Sequence, residues 1–359
     1  MKILALYLPQ FHAIQENDEW WGKGYTEWQA VKKAKKLYDT HMQPRVPLNN
    51  NYYDLSDESA ETWKWQASLV NEYGIYGLCI YHYWFSSRNM LLEKPMEILL
   101  QHKEISLRYC ICWANESWKR TWHGGQNELL MEQLYGEKSE WRAHFYYLLK
   151  FFRDERYIKI DNKPMINIYR PYAIDCMKEM LDLFNELAKE NGFSGVYVVA
   201  GNTGYKIDPR TELYDAYYNY EPALSLMLQR TKSVYGRLMN KCKSLLSKRD
   251  KVKIKDANCI YEMNTSLLEI KNKKCFLGSF VGFDDTPRRE IKGVIYNSSP
   301  QKFHDNLLKI DKVLKKNNRN DDFVYIMAWN EWSEGAYLEP DENNRYAYLE
   351  AIRKVVSDE

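Results

Sequence analysis

Two glutamates near the end of the chain, Glu331 and Glu334, are the residues best suited by type and spacing to do chemistry. They belong to the segment WNEWSEG at residues 329–335, which directly follows a buried-strand pattern at 324–328. Breaking a glycosidic bond requires one protonated and one ionised carboxyl group, and neighbouring carboxyls beside an apolar aromatic wall can occupy those two states. The pair therefore predicts glycosidic-bond chemistry. The structural alternative is that both glutamates bind backbone amides or Arg345.

Eight short apolar segments rich in β-forming residues recur along the chain, with helical patterns between most of them. The strand patterns are at 3–8, 75–82, 107–113, 164–169, 196–201, 214–219, 276–282 and 323–329. The helical patterns are at 58–73, 92–103, 140–153, 175–191, 224–246, 301–316 and 346–356. Nearly continuous apolar strands are typical of parallel sheets buried on both faces. This alternation predicts an α/β fold with one domain over 1–359, a single (β/α)₈ TIM barrel with long βα loops.

In such a barrel the active site lies at the C-terminal ends of the strands and in the loops that follow them. The predicted strand ends are polar and aromatic, and the first loop, from residue 9 to about 57, is long enough to form one wall of a site. Aromatic rings suit sugar faces, and Phe, Trp and Tyr make up 15% of the chain. We hypothesise that the substrate is bound by His12, Trp28, His82, Tyr83, Trp84, Trp113, Asn115, Glu116, Tyr169, Asp285, Arg288, Arg289, Trp329, Asn330 and Trp332. An equally weighted alternative for the two arginines is pairing with Asp284, Asp285 or Glu290.

Motifs for metals, nucleotides and other nucleophiles are weak or missing in the sequence. The histidines form no pair at metal-ligand spacing, and no Asp-x-Asp or Gly-x-Ser-x-Gly segment is present. Gly22 and Gly24 lack the third glycine of a dinucleotide fingerprint. We therefore expect no metal and no cofactor.

A basic segment interrupts the barrel pattern between the sixth and seventh strands. Residues 230–255 contain ten basic residues and one acidic residue, within a predicted helical insertion at 224–256. Simple packing of its apolar stripe on the barrel is the favoured interpretation. The alternative is peripheral contact with an anionic membrane. Scattered cysteines and the early end of the N-terminal apolar run predict a cytoplasmic protein. The membrane alternative for the basic segment would place this protein at the periphery of the inner membrane. We expect an oligo- or polysaccharide partner and no nucleic acid, and the oligomeric state stays open.

Several motifs spread along the chain resemble those of one protein family. They are YLPQFH at 7–12, NDEWWGKG at 17–24, TEW at 26–28, YHYWF at 81–85, WANE at 113–116, RYI at 156–158 with KP at 163–164, DTPRR at 285–289, AWNEWSEG at 328–335 and LEPD at 338–341. The chain resembles the WbsX family, glycoside hydrolase family 99-like proteins of bacterial surface-polysaccharide biosynthesis. The better-studied hydrolase relatives are retaining endo-α-mannosidases on a (β/α)₈ barrel. Their mannose specificity is not carried over to this chain.

The resemblance implies roles for the two glutamates. Glu331 would be the base that assists the sugar's own 2-hydroxyl as internal nucleophile, and Glu334 would be the general acid and then the base. We expect a retaining glycoside hydrolase or transglycosylase acting on a surface polysaccharide, such as O-antigen or capsule, or on its precursor. The first alternative is a glycosyltransferase of lipopolysaccharide or capsule biosynthesis that uses a sugar nucleotide. The second is a glycan-binding barrel without catalysis.

Overall fold

A computed structural model of the protein describes residues 1–120, 128–232, 251–264 and 274–357. Within these ranges eight parallel strands form a closed barrel in chain order. They are β1 Lys2–Tyr7, β2 Gly77–Ser86, β3 Tyr109–Trp113, β4 Lys163–Ile168, β5 Tyr197–Asn202, β6 Ala216–Asn219, β7 Lys274–Phe280 and β8 Phe323–Met327. Closure comes from β1, which pairs with β2 and with β8. The prediction of a (β/α)₈ barrel is confirmed.

Helices follow most of the strands, and those of eight or more residues lie near the predicted positions. They are α1 Gln15–Trp21, α2 Glu27–Lys33, α3 Glu61–Glu72, α4 Lys94–Gln101, α5 Lys138–Phe152, α6 Met177–Glu190, α7 Ala223–Lys232, α8 Asn258–Tyr261, α9 Thr286–Arg289, α10 Pro300–Lys316 and α11 Ala347–Val356. The sequence signals for helix ends act as expected. Gly74 and Gly192, which follow α3 and α6, have φ of 70° and 88°, and the Ser299 side chain accepts a hydrogen bond from the Lys302 amide at the start of α10.

The inside of the barrel is filled by aromatic and polar side chains. Tyr325 on β8 donates a 2.6 Å hydrogen bond to Asn167 on β4 and stacks on Tyr218 of β6 at 4.6 Å. The Tyr218 hydroxyl is 3.5 Å from Cys112 Sγ on β3. Because the two strands in each of these contacts are not neighbours in the sheet, the side chains meet inside the barrel, which is therefore a packed core and not a pore.

Short elements on the βα loops shape the C-terminal face. A hairpin pairs Trp118–Arg120 with Glu128–Met131, and a second pairs Asn330–Glu331 with Ala336–Tyr337. A small sheet joins Lys253–Asp256, Val294–Asn297 and Phe283–Asp284. The first loop contains α1 and α2, two helices that the sequence patterns did not predict.

The basic segment is described only in part. The helix predicted at 224–246 begins as α7, and residues 233–250 lie outside the described residues. The end of the predicted helical insertion is a strand, Lys253–Asp256, because it pairs in parallel with Val294–Asn297. In the part of the chain that the structure describes, no helix is long and apolar enough to cross a membrane.

Candidate active site

Glu331 and Glu334 lie on a tight hairpin directly after β8. Between its two short strands, Trp332–Glu334 form one turn of 3₁₀ helix, and Gly335 ends the turn with a φ of 60°. A Cβ at position 335 would be 2.9 Å from the Cβ of Asp284 and 3.0 Å from Nη2 of Arg45. Glycine is therefore needed twice here, for its backbone conformation and for the space that it leaves.

A buried carboxylate, Glu339, holds this hairpin from behind. Its Oε1 accepts hydrogen bonds from the indole of Trp329 at 2.9 Å and the amide of Gln66 at 2.7 Å. Its Oε2 accepts from the indole of Trp332 at 2.7 Å and the hydroxyl of Tyr53 at 3.0 Å. Burial raises the pKa of Glu339 to about 7, and the four donors oppose that rise. Both tryptophans of the WNEWSEG segment therefore fix the hairpin from its buried side.

The two carboxyl groups open into one cleft of about 730 Å³ at the C-terminal face of the barrel. Residues at or just after the ends of six barrel strands contribute to the lining, as do Arg288 and Arg289 of α9. Much of the remaining lining is aromatic. The lining includes Leu8, Gln10, Trp21, Tyr81, Tyr83, Asn115, Glu116, Trp118, Lys119, Gln133, Tyr135, Tyr169, Arg170, Tyr172, Tyr205 and Tyr220. The cleft has the size and the mixture of rings and polar groups that a sugar ligand requires.

The environments of the two glutamates differ. Glu331 is 7% exposed; burial raises its pKa well above the usual value, the charge of Glu334 adds to the rise, and Arg288 opposes it. The side chain of Glu334 is 24% exposed; burial raises its pKa as well, but its direct bond to Arg288 opposes the rise. Close carboxyls in unequal surroundings can hold one proton between them at neutral pH.

A third carboxylate, Glu27, faces the same arginine. Arg288 donates from Nη1 to Glu334 Oε1 at 2.7 Å and from Nη2 to Glu27 Oε1 at 2.6 Å. The partners in these two ion pairs are not Asp284, Asp285 or Glu290, which the structural alternative named. Arg289, whose side chain is 61% exposed, pairs with Asp285 at 3.3 Å, as the structural alternative for this residue predicted.

The cleft is also lined by four residues that were hypothesised to bind the substrate, Tyr83, Asn115, Glu116 and Tyr169. Glu116 forms an ion pair with Arg170. Asn115 accepts a 2.8 Å hydrogen bond from the Arg170 amide and donates to the Arg170 carbonyl at 2.9 Å. Its amide therefore joins the loops after β3 and β4, a positioning contact that the sequence did not predict.

Three hypothesised sugar ligands lie on the opposite face of their strands. His82 Nε2 is 3.0 Å from His144 Nε2 of α5, Trp84 stacks on His144 at 4.5 Å, and the indole of Trp113 donates to the Trp84 carbonyl. Successive side chains of a strand point to opposite faces. Because Tyr81 and Tyr83 face the cleft, His82 and Trp84 pack outward against α5 instead.

The remaining predicted residues support the site from outside the cleft lining. His12 lies against the Pro9 carbonyl at 3.1 Å, and the Trp28 indole donates to the Tyr53 carbonyl at 2.8 Å. Asn330 binds both the amide and the carbonyl of Leu8, which ties the hairpin to the end of β1. Asp285 accepts the Val294 amide at 2.6 Å.

Several site residues were missed by the sequence reasoning. Tyr81 and Tyr220 line the cleft, and burial together with the charge of Glu331 raises the pKa of both hydroxyls, so that they stay protonated. Tyr81 and Tyr83 are two residues apart on β2 and so point to the same face of the strand, which the sequence alone could have predicted. Glu27 lies beside Trp28 in a matching motif, but its buried contact with Arg288 depends on loops that are distant in sequence. Over the described ranges, no three His, Cys, Asp or Glu side chains form a group that could hold a metal ion.

Comparison with known proteins agrees with this architecture. A family model described as "Glycosyltransferase WbsX" matches residues 3–352. "Uncharacterized protein WxcX" of Xanthomonas campestris pv. campestris is 32% identical over 359 residues, which are 99% of this chain and 49% of that protein. The chain thus spans about half the length of the curated relatives that it matches.

Two solved structures share the fold over nearly the whole chain. The GH99 endo-alpha-mannosidase from Bacteroides thetaiotaomicron, in complex with BIS-TRIS-propane, superposes with a TM-score of 0.61 at 14% identity, covering 99% of this chain and 96% of that one. A chain described as a glycoside hydrolase-like protein gives a TM-score of 0.58 at 12% identity, covering 99% and 93%. From the match over residues 3–352, the chain belongs to the Glycosyltransferase WbsX family.

Proposed function

We propose that the protein is a retaining carbohydrate-active enzyme that breaks a glycosidic bond of a bacterial surface polysaccharide or its precursor and transfers the glycosyl group to water or to another sugar. The observation that carries the proposal is the placement of Glu331 and Glu334 on one hairpin, both opening into an aromatic cleft at the C-terminal face of the barrel. The family and the fold shared with a GH99 endo-alpha-mannosidase support the same class of chemistry.

The chemistry follows the route that the family resemblance implies. Glu331 removes the proton of the sugar's 2-hydroxyl while that oxygen attacks the anomeric carbon, and Glu334 protonates the departing glycosidic oxygen. Glu334 then takes a proton from water or from an acceptor hydroxyl, whose oxygen opens the strained ring, and Glu331 returns its proton to the 2-oxygen. Two displacements retain the anomeric configuration. The raised pKa of each carboxyl supports the holding of one proton by the pair at neutral pH. The route requires this shared proton to be on Glu334 when the glycosidic oxygen departs, although the larger pKa rise is that of Glu331.

A second candidate is glycosyl transfer from a sugar nucleotide. The family description names a glycosyltransferase, and Lys119 and Arg289 add positive charge to the cleft lining. Charged donors of this kind bind phosphate oxygens well. Both candidates place the reacting sugar beside Glu331 and Glu334, and they differ in the donor that the enzyme needs.

One experiment separates the two candidates. The purified protein is incubated with the surface polysaccharide of its source strain, with and without sugar nucleotides, and the chain-length distribution of the glycan is measured. Shortening or redistribution without nucleotide supports the hydrolase or transglycosylase, whereas a change that requires nucleotide supports the second candidate.

Matched variants test the glutamates in the same assay. Loss of either carboxyl, in Glu331→Gln or Glu334→Gln, should slow the reaction by about 10²–10⁴-fold, as removal of a general acid or base does. Glu190→Gln at the exposed end of α6 is the control and should leave the rate unchanged. A glycan change that persists in both active-site variants would contradict the assignment.

A further inference from the structure

Glu27 is a buried acid that the proposed chemistry does not use. It is the first residue of α2 and is fully buried beneath the hairpin that holds Glu331 and Glu334. Its Oε1 accepts hydrogen bonds from Arg288 and from the hydroxyl of Ser333. Its Oε2 is buried and has no hydrogen-bond partner among the described residues. A carboxyl in such a place is costly unless its charge is matched, which makes the arginine its essential partner.

The arginine is divided between two acids. The guanidinium of Arg288 bonds Glu27 through Nη2 and Glu334 through Nη1, and its side chain is only 13% exposed. An arginine bonded to Glu334 alone would strongly favour the ionised form of that carboxyl. A second carboxylate bonded to the same guanidinium partly cancels this effect on the Glu334 pKa, because its negative charge opposes the ionisation of Glu334.

Other charged and titratable groups near Glu27, Arg288 and Glu334 have smaller effects on the pKa of Glu334 than Arg288 and Glu27 have. Those acting on Glu334 or Arg288 are Asp285 and Arg289 of the α9 loop, Glu331 of the hairpin, and the hydroxyls of Tyr25 and Tyr220. Arg289 is mostly exposed and pairs with Asp285. For Glu334, the largest contribution after burial comes from Arg288, which lowers its pKa, and the next from Glu27, which raises it.

We propose that Glu27 and Arg288 are positioning residues for Glu334: Arg288 holds the Glu334 carboxyl at the cleft, and Glu27 divides the charge of Arg288 so that Glu334 can still carry a proton. The contribution to catalysis rests on the proposed function, in which Glu334 must protonate the leaving group. The electrostatic division itself does not depend on any substrate. Without Glu27, the cation that orients Glu334 would also keep it ionised.

Site-specific carbodiimide labelling measures the protonation of Glu334 directly. Carbodiimides activate the protonated carboxyl, and an amine nucleophile then leaves a stable amide that peptide mass spectrometry locates. Fragment ions separate Glu334 from Glu331. The rate of labelling at Glu334 is measured across pH in the intact protein, and its midpoint reports the protonation of that carboxyl.

The charge variants should move this midpoint in opposite directions. Glu27→Gln should lower it, because the charge of Arg288 is then no longer shared with Glu27, and Arg288→Gln should raise it. Each shift should reach about one pH unit, a tenfold change of labelling rate on the basic side, as expected for a charge within hydrogen-bonding distance. Arg289→Gln, at the exposed neighbour, should move the midpoint less than Arg288→Gln.

A double variant covers the case in which a single variant does not fold. Glu27→Gln combined with Arg288→Gln removes both charges and leaves neither buried alone. Its midpoint should lie between those of the wild type and Arg288→Gln. If removal of Glu27 leaves the Glu334 midpoint unchanged both in the wild type and in the Arg288→Gln background, or if both single variants shift it in the same direction, the proposal is overturned. Because the labelling needs no glycan, this failure is distinct from a failure to find an enzymatic reaction.

Discussion

Glu221 provides a sharp test of the electrostatics around the barrel. This residue lies two positions after the end of β6 and is 2% exposed. It accepts hydrogen bonds from the Ser225 hydroxyl at 2.9 Å and from the Ser225 amide at 3.2 Å, and in the described part of the chain no cation pairs with it. Burial therefore raises its pKa from 4.5 to about 8, and the two Ser225 bonds offset only part of that rise.

The raised pKa sets both the sign and the size of the effect on stability. The folded state holds the proton up to about pH 8, whereas the unfolded chain releases it near pH 4.5. The contribution of this group to the unfolding free energy therefore falls as pH rises through that window and levels off above it. At about 1.4 kcal/mol per pH unit, the loss is about 1 kcal/mol at pH 5 and about 5 kcal/mol at pH 9.

Glu221→Gln should remove this loss. The glutamine amide imitates the protonated acid, since its oxygen can accept from the Ser225 amide while the Ser225 hydroxyl turns to accept from its NH₂ group. Urea unfolding, followed by tryptophan fluorescence at pH 5 and pH 9, should show that the advantage of the variant over the wild type grows by about 4 kcal/mol between the two pH values. Glu190→Gln is the exposed control. An advantage that is equal at both pH values would refute the reasoning.

Four further predictions concern the site and its surroundings. Glu339→Gln should lower the unfolding free energy at pH 6 by about 1–3 kcal/mol, because one of the two indole N–H groups loses its acceptor whichever oxygen becomes an amide. An unchanged melting temperature would contradict the role of Glu339 in holding the hairpin. Gly335→Ala should lower the unfolding free energy of the protein by more than about 1 kcal/mol, because the new Cβ would lie too close to Asp284 and Arg45. A urea midpoint equal to that of the wild type would exclude this steric conflict. Arg289→Ala should weaken glycan binding while changing stability by less than about 1 kcal/mol; unchanged affinity with a lower melting temperature would make it structural. The basic segment 230–255, if it docks on membranes, should co-sediment at low salt with anionic but not neutral vesicles and lose this binding on substitution to Gln of Lys241, Lys243, Lys248 and Arg249.

The sequence predicted the barrel because its signals are local. Apolar strands, helix-ending glycines and the serine cap of α10 act within a few residues of where they stand. The elements that it missed depend on distant partners. The helices α1 and α2 lie in a polar first loop, and the strand Lys253–Asp256 forms because Val294–Asn297 lies beside it.

The residues hypothesised as ligands lie at the cleft where their direction follows from the strand ends, and they lie outside it where the alternation of strand side chains was ignored. Tyr83 and Glu116 reach the cleft, but taking three consecutive residues of β2 as ligands was incompatible with a strand, since His82 and Trp84 must face away from Tyr83. Glu27 could not be assigned from spacing, because 261 residues separate it from Arg288.

The contacts of Glu339 show that most of the WNEWSEG segment holds the hairpin in place. Both of its tryptophans point to a buried carboxylate, and its asparagine is bound to the backbone of Leu8, so five of the seven residues have no contact with the cleft. The segment therefore specifies how the two carboxyls are held, and on the proposed function it leaves the choice of sugar to other residues. On the proposed function, recognition would come from other parts of the lining, such as the Trp118–Arg120 strand, Arg170 and Tyr205, which belong to βα loops outside this hairpin. A relative that keeps this segment and differs in those loops would then, on the proposed function, keep the chemistry and bind a different glycan.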